Sequence, residues 1–227
     1  MSAIVDKLQA VRRRINEATA AAGRPADSVR LLAVSKTKPL ADVLAAAAAG
    51  QLAFGENYVQ EGVAKAMATV DRALEWHFIG PLQSNKSRLV AEHFAWLHTI
   101  DRVRIAERLS EQRPPHLPPL QVCVQVNISD EDSKSGCRPD EASALCHAVA
   151  RLPHLQLRGL MCIPAATETV LAQRADFARL RRLYEQLRQD GLALDTLSMG
   201  MTHDLEAAIA EGATLVRIGT AIFGERN

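Results

Sequence analysis

The stretch Leu31-Leu32-Ala33-Val34-Ser35-Lys36 is an apolar run that ends on a lysine. A continuous apolar run is typical of a strand in a parallel sheet that is covered on both faces. The end of this run places an amine at the mouth of a core. The pKa of an ordinary lysine is about 10.4, and burial or a nearby cation lowers it, so that the amine can condense with a carbonyl to give a Schiff base. The alternative is that Lys36 is a surface lysine that caps a strand.

Seven further apolar runs follow the first and alternate with helical patterns. We predict strands at residues 29–35, 51–55, 75–79, 96–100, 120–128, 156–163, 196–199 and 214–218. Helical spacing of apolar residues predicts a first helix over 4–22 and further helices that include 84–93, 139–151, 169–190 and 204–211. Eight such repeats predict a single α/β domain over residues 1–227, a closed (β/α)8 TIM barrel with an extra N-terminal helix that plugs one end. An open doubly wound sheet is the alternative.

Composition excludes several classes of function. The 227 residues carry a net charge of +1 with no basic block, and only 4% are aromatic, which argues against nucleic acid and anionic membranes as partners. The four cysteines form no C-x-x-C pair, so we expect buried thiols rather than disulfides or a metal site. No apolar stretch is long enough to span a membrane, and the N-terminus does not resemble a signal peptide. We therefore expect a cytoplasmic protein. We also expect a monomer, because no separate interface element is apparent in the sequence.

Candidate site residues lie where the predicted strands end, because the chemistry of a (β/α)8 barrel sits at the C-terminal ends of its strands. They are Lys36, Asn57, Ser198, Gly200, Arg217, Gly219 and Thr220. Barrels often bind a phosphate in the loops after strands seven and eight. Glycines there allow close backbone approach, and hydroxyls donate hydrogen bonds. The alternative is that these loops are two glycine turns and a helix cap.

Arg217 and two histidines interrupt apolar surroundings. Arg217 stands within the apolar run 214–218, and a buried guanidinium needs a partner. That partner is either a carboxylate on a neighbouring strand or a ring nitrogen of a bound cofactor. We expect His77 to be a core residue whose hydrogen bonds are satisfied, and His203 to be solvated beside a helix start.

Together these segments resemble the pyridoxal 5′-phosphate (PLP) homeostasis protein family, also called the proline synthetase co-transcribed homologue family. The most specific match is Trp-His-Phe-Ile-Gly-Pro-Leu-Gln-Ser-Asn-Lys at residues 76–86. The other matching segments are 33–37, 54–61, 127–128, 134–136, 159–161, 198–201 and 216–224.

The resemblance implies a barrel like the N-terminal domain of alanine racemase, with PLP held on Lys36 as an internal aldimine. It places Arg217 at the pyridine nitrogen and Asn57 near the ring. It also places Ser198, Gly200, Gly219 and Thr220 around the phosphate.

The same resemblance bears on whether the chain is an enzyme. An arginine at the ring nitrogen does not favour a protonated pyridine, which weakens the ring as an electron sink. Alanine racemase-like enzymes carry a further β domain and take a tyrosine from a facing subunit, and we expect neither here. We therefore predict a non-catalytic PLP-binding protein that maintains vitamin B6 and amino-acid homeostasis, with cofactor delivery to apo-enzymes as one use. The alternatives are a PLP enzyme such as a weak racemase, and an aldolase-type lyase that binds a sugar phosphate.

Overall fold

The computed structural model describes residues 3–129, 131, 134–165, 167 and 169–225. Eight parallel strands form a closed barrel in which each strand pairs with the next and β8 pairs with β1. The strands are β1 (Arg30–Val34), β2 (Ala53–Glu56), β3 (Glu75–Phe78), β4 (Trp96–Ile100), β5 (Leu120–Gln125), β6 (Leu155–Met161), β7 (Thr196–Ser198) and β8 (Leu215–Ile218). The predicted (β/α)8 barrel is confirmed, and the open sheet is excluded.

Helices follow the strands and cover the outside of the barrel. They are α1 (Ala3–Ala21), α2 (Leu40–Ala48), α3 (Val59–Ala68), α4 (Ser87–His93), α5 (Val103–Gln112), α6 (Ala142–Ala150), α7 (Val170–Gln189), α8 (Leu205–Ala210) and α9 (Thr220–Phe223). A 3-10 turn, Ser84–Lys86, precedes α4. The helix α1 packs chiefly against α2, α8 and α9. It therefore joins the outer ring of helices, and its predicted position as a plug at one end of the barrel is wrong.

Apolar side chains fill the space between the sheet and the helices. Leu8, Val11 and Ile15 recur at helical spacing and bury one face of α1. The four cysteines are free and buried, as the sequence predicts. Burial raises the pKa of their thiols, which keeps them protonated and unreactive.

Two strands differ from their predicted bounds in a way that affects the site. The strand β1 ends at Val34, so Ser35 and Lys36 lie in the turn that follows it. The strand β5 ends at Gln125 rather than at residue 128, because the chain turns there and Val126 makes an isolated bridge to Cys137. No helix among the described residues is long and apolar enough to cross a membrane.

Candidate cofactor site

A cavity of about 270 Å³ opens at the C-terminal ends of the strands. Five of the seven predicted site residues line it, namely Lys36, Asn57, Arg217, Gly219 and Thr220. Six further residues line it that were not among the seven predicted site residues: Val34, Ile79, Ile163, Met201, Thr202 and His203. His203 is exposed, as expected, but it lies at this rim. The sequence-predicted residues thus converge on one apolar cavity with a few polar groups, the usual character of a small-molecule site.

Lys36 is half-buried in the turn that follows β1. The next residue, Thr37, has φ of 63°, a left-handed conformation that is unusual for a β-branched residue. Such a conformation persists only where surrounding contacts enforce it. The turn that carries Lys36 is therefore held in shape by its neighbours.

Those neighbours form a charged cluster, here called the Lys65 cluster, which consists of the buried Lys65 and Glu56 and the partly exposed Glu61. The Lys65 ammonium donates to Glu56 Oε1 and Glu61 Oε1, each at 2.7 Å. It also donates to the Ser35 carbonyl at 2.8 Å. Glu61 Oε1 accepts from the Thr37 N–H at 2.7 Å. The cluster is thus hydrogen-bonded to the backbone on both sides of Lys36, at the Ser35 carbonyl and the Thr37 N–H.

Glu56 lies deepest in the Lys65 cluster. It is fully buried and accepts a hydrogen bond of 2.6 Å from the Ser35 hydroxyl. Burial raises the pKa of Glu56, although hydrogen bonds from Lys65 and Ser35 oppose the shift. The carboxylate therefore depends on Lys65 for its stability in the core.

Arg217 is 4% exposed and lies within β8, beside the cavity. Its Nη1 donates to the Ser198 carbonyl at 2.6 Å and to the Ser198 hydroxyl at 2.9 Å, and its Nη2 donates to the Cys162 carbonyl at 2.9 Å. Burial lowers the pKa of Arg217, but an arginine side chain keeps its charge in proteins. Among the described residues its hydrogen-bond partners are neutral, so the carboxylate partner considered from the sequence is not found there.

Ser198 and Gly200 do not line the cavity. The Ser198 hydroxyl is fully buried and lies between Arg217 and His98. Gly200 has φ of 97°, and a Cβ there would lie 2.6 Å from the Ala208 Cβ, so a glycine is needed for the turn and for the packing of α8. A direct contact of either residue with a phosphate stays a prediction.

The residues after β7 and β8 that line the cavity supply donors for an anion. Gly219 and Thr220 line the cavity, and in the described part of the chain the backbone N–H groups of Thr202 and His203 have no hydrogen-bond partner. A Cβ on Gly219 would lie 3.1 Å from the Val34 carbonyl oxygen, so the backbone approaches closely there. These groups fit a phosphate.

The lining as a whole fits PLP. Lys36 supplies an amine for its aldehyde, and the loops after β7 and β8 supply donors for its phosphate. The hydrogen bonds of Arg217 use three of the five N–H groups that a guanidinium carries, which leaves two donors on a residue that lines the cavity. The Asn57 Oδ1 is buried without a partner in the described residues and can accept from a ligand.

This barrel belongs to a known class of domains. The family model described as "Alanine racemase, N-terminal domain" matches residues 7–227. The alanine racemase of Corynebacterium glutamicum shares this fold with a TM-score of 0.72 at 20% identity, and the match covers 97% of this chain and 62% of that one.

Within that class, this chain is much more similar in sequence to one group of proteins. The pyridoxal phosphate homeostasis protein of Pseudomonas aeruginosa is 60% identical over 227 residues, covering 100% of this chain and 97% of the relative. PipY of Synechococcus elongatus, solved with PLP bound, has a TM-score of 0.85 at 38% identity and covers 97% of this chain and 100% of its own. The chain belongs to the pyridoxal phosphate homeostasis protein family.

Proposed function

We propose that this protein is a PLP-binding homeostasis protein that holds its cofactor on Lys36 without catalysing a reaction of its own. The observation that carries this proposal is the convergence of Lys36, Arg217, Gly219 and Thr220 on one cavity. The relatives named as pyridoxal phosphate homeostasis proteins and the PLP-bound PipY structure support it. We further propose that residues 1–227 act as a single domain, as a monomer and in the cytoplasm.

Different residues of the site bind the aldehyde, the ring and the phosphate of the cofactor. Lys36 Nζ forms a C=N bond to the cofactor aldehyde with loss of water, which is the chemistry that PLP supplies when bound. Arg217 donates to the pyridine nitrogen, and Asn57 lies beside the ring. Gly219 and Thr220 form the phosphate end. The resemblance also assigns Ser198 and Gly200 to the phosphate, and because neither lines the cavity, that contact stays a prediction. A reversible covalent bond of this kind keeps the free aldehyde low and allows its release to apo-enzymes.

The lining argues for a carrier rather than a racemase. Neither of the two tyrosines lines the cavity, because Tyr58 precedes α3 with its side chain in solvent and Tyr184 lies in α7. The Tyr184 hydroxyl donates to the Leu194 carbonyl at 3.0 Å. Among the described residues the remaining titratable group of the lining is His203. A racemase would therefore need His203 as its second base.

Cofactor transfer tests the proposal. Protein loaded with PLP should be yellow, and mixing it with a PLP-dependent apo-enzyme should activate that enzyme faster than PLP dissociates spontaneously. The Lys36→Ala variant should lose the yellow species, whereas Lys38→Ala, on the same turn, should keep it. Turnover of amino acids by the pure protein at about 1 to 1,000 per second, with loss of that turnover in His203→Gln, would make it an enzyme and overturn the carrier proposal.

A further inference from the structure

Five buried or partly buried side chains form a hydrogen-bonded path through the barrel, here called the polar chain: Glu75, His77, His98, Ser198 and Arg217. Glu75 and His77 belong to β3, His98 to β4, Ser198 to β7 and Arg217 to β8. The link between His98 and Ser198 joins two strands that are not neighbours in the sheet, so the polar chain crosses the interior of the barrel. His77, His98 and Ser198 are fully buried.

The first half of the polar chain starts at Arg217, and this residue determines which atom donates in each hydrogen bond. A guanidinium can only donate, so the Ser198 hydroxyl oxygen accepts from Arg217 Nη1 at 2.9 Å. The hydroxyl's own hydrogen also needs an acceptor, and among the described residues the remaining side-chain partner of this oxygen is His98 Nδ1, at 2.7 Å. His98 Nδ1 is then an acceptor, and the ring proton of a neutral His98 lies on Nε2.

The second half ends on the Glu75 carboxylate. This carboxylate independently gives the same order of donors and acceptors. An ionised Glu75 can only accept, so His77 Nε2 donates to Glu75 Oε1 at 2.7 Å. His77 Nδ1 then accepts from His98 Nε2 at 2.9 Å. Burial lowers the pKa of both histidines, that of His98 well below its ordinary value, so both rings stay neutral at pH 7. Every hydrogen bond in the polar chain points from Arg217 towards Glu75.

This order matters at Arg217. If His98 carried its proton on Nδ1 instead, the Ser198 oxygen would face two donors and its own hydrogen would lose its acceptor. With the order that the geometry gives, Nη1 of Arg217 is held on Ser198 by two hydrogen bonds. The Ser198 and Cys162 carbonyls hold the guanidinium plane, and the Ser198 hydroxyl adds a third hydrogen bond whose geometry depends on the histidines behind it.

We propose that His98 and His77 are positioning residues that act through Ser198 to hold Arg217 with its two remaining N–H groups towards the cavity. Their effect is on the affinity for an acceptor atom in the ring of the bound cofactor. This inference rests on the proposed function, since Arg217 is assigned there to the pyridine nitrogen.

The first test reads the proton positions in the unloaded protein. Long-range proton–nitrogen NMR spectra of protein labelled with ¹⁵N-histidine report which ring nitrogen carries hydrogen, and the His98→Asn and His77→Asn variants assign the signals. We expect both rings to be neutral with the proton on Nε2. A charged ring at pH 7, or a proton on Nδ1 of either histidine, would overturn the polar chain whether or not the protein binds PLP.

The second test measures the effect on the ligand. Ser198→Ala should weaken binding by about tenfold, the loss expected for one hydrogen bond to a charged group. It should also move the absorbance band of the bound cofactor. Ser110→Ala is the matched control, because Ser110 is also buried but donates to the Pro153 carbonyl, outside the polar chain. It should change neither quantity.

Binding of pyridoxal, which lacks the phosphate, distinguishes a role of Ser198 through Arg217 from a direct contact of Ser198 with the phosphate. A role through Arg217 predicts that Ser198→Ala weakens pyridoxal and PLP by the same factor. Weakening of PLP alone would assign Ser198 to the phosphate and overturn the inference, as would wild-type affinities for both ligands. Failure of the wild-type protein to bind PLP would defeat the proposed function and this role with it, whereas wrong tautomers alone would defeat only the polar chain.

Discussion

The strands β1 and β8 are neighbours in the barrel, with Leu32 opposite Arg217, and each delivers one cationic side chain to the cavity. Lys36 comes on a strained turn beyond the end of its strand, whereas Arg217 comes from within a strand. The turn is held by a charged cluster, in which Lys65 is paired with two carboxylates. Arg217 is held by carbonyls and a hydroxyl.

The difference shows two uses of a buried cation. The charge of Lys65 is neutralised within the protein, so it serves the fold and the shape of the Lys36 turn. The hydrogen bonds of Arg217 in the described residues go to neutral acceptors, so its charge remains to favour an acceptor or an anion in the cavity. Removing either cation should therefore affect different properties of the protein.

The largest expected effect follows from Lys65→Met, which leaves Glu56 buried without its cation. Breaking a buried ion pair from one side costs about 3–5 kcal/mol of the free energy of unfolding, measurable by urea denaturation. The double variant Lys65→Met/Glu56→Gln should recover part of this loss, because no carboxylate is then left in the core. A loss below about 1 kcal/mol in the single variant would contradict the importance of the Lys65 cluster.

Arg217→Met should have a smaller effect on stability than Lys65→Met and a large effect on PLP binding. The substitution leaves neutral carbonyls, rather than carboxylates, without their hydrogen-bond donor. We therefore expect a loss of about 1–2 kcal/mol in the free energy of unfolding. The affinity for PLP should fall by at least about tenfold, measured by absorbance titration. A variant that binds PLP normally, or that unfolds more readily than Lys65→Met, would show that Arg217 serves the fold instead.

A smaller effect concerns pH and the two buried histidines. The charged groups that act on them are Glu75 and Arg217 of the polar chain, and Arg30, which pairs with Glu75. Because burial lowers the pKa of His77 and His98 in the folded state, the unfolded chain binds more protons below its ordinary histidine pKa of about 6.5. Stability is therefore present above that pH and is lost as the pH falls, by up to about 1.4 kcal/mol per pH unit for each histidine.

Urea denaturation at pH 7.5 and at pH 5.5 checks this slope. The His98→Asn variant should lose less stability on acidification than the wild-type protein, by about 1 kcal/mol. The same substitution at the exposed His116 serves as the control. An unchanged slope in His98→Asn would mean that this ring is protonated in the folded protein.

Much of the barrel and part of the site could be predicted from the sequence. Continuous apolar runs predict buried parallel strands, and Trp96–Ile100 was predicted with its observed bounds. Lys36 and Arg217 could be singled out because a charge at the edge of an apolar run or within it is costly. What could not be predicted is the strained turn at Thr37, because Ser-Lys-Thr carries no glycine or proline to mark it.

The supporting contacts were missed because their partners are far apart in the chain. His98 looks like an ordinary strand residue between Leu97 and Thr99, and its partner Ser198 lies 100 residues away. The ion pair of Glu61 with Lys65 has helical i, i+4 spacing and could have been noticed. Its contact with the Ser35 turn depends on how α3 packs on the barrel, and no local pattern encodes that.

The most direct test of the central claim is to locate the covalent bond. The protein is incubated with PLP, reduced with borohydride, digested and analysed by mass spectrometry, with Lys36→Ala and Lys38→Ala in parallel. We predict that the reduced adduct lies on Lys36, is absent from Lys36→Ala and is unchanged in Lys38→Ala. An adduct on another lysine, or full labelling of Lys36→Ala, would contradict the assignment of Lys36 as the residue that holds the cofactor.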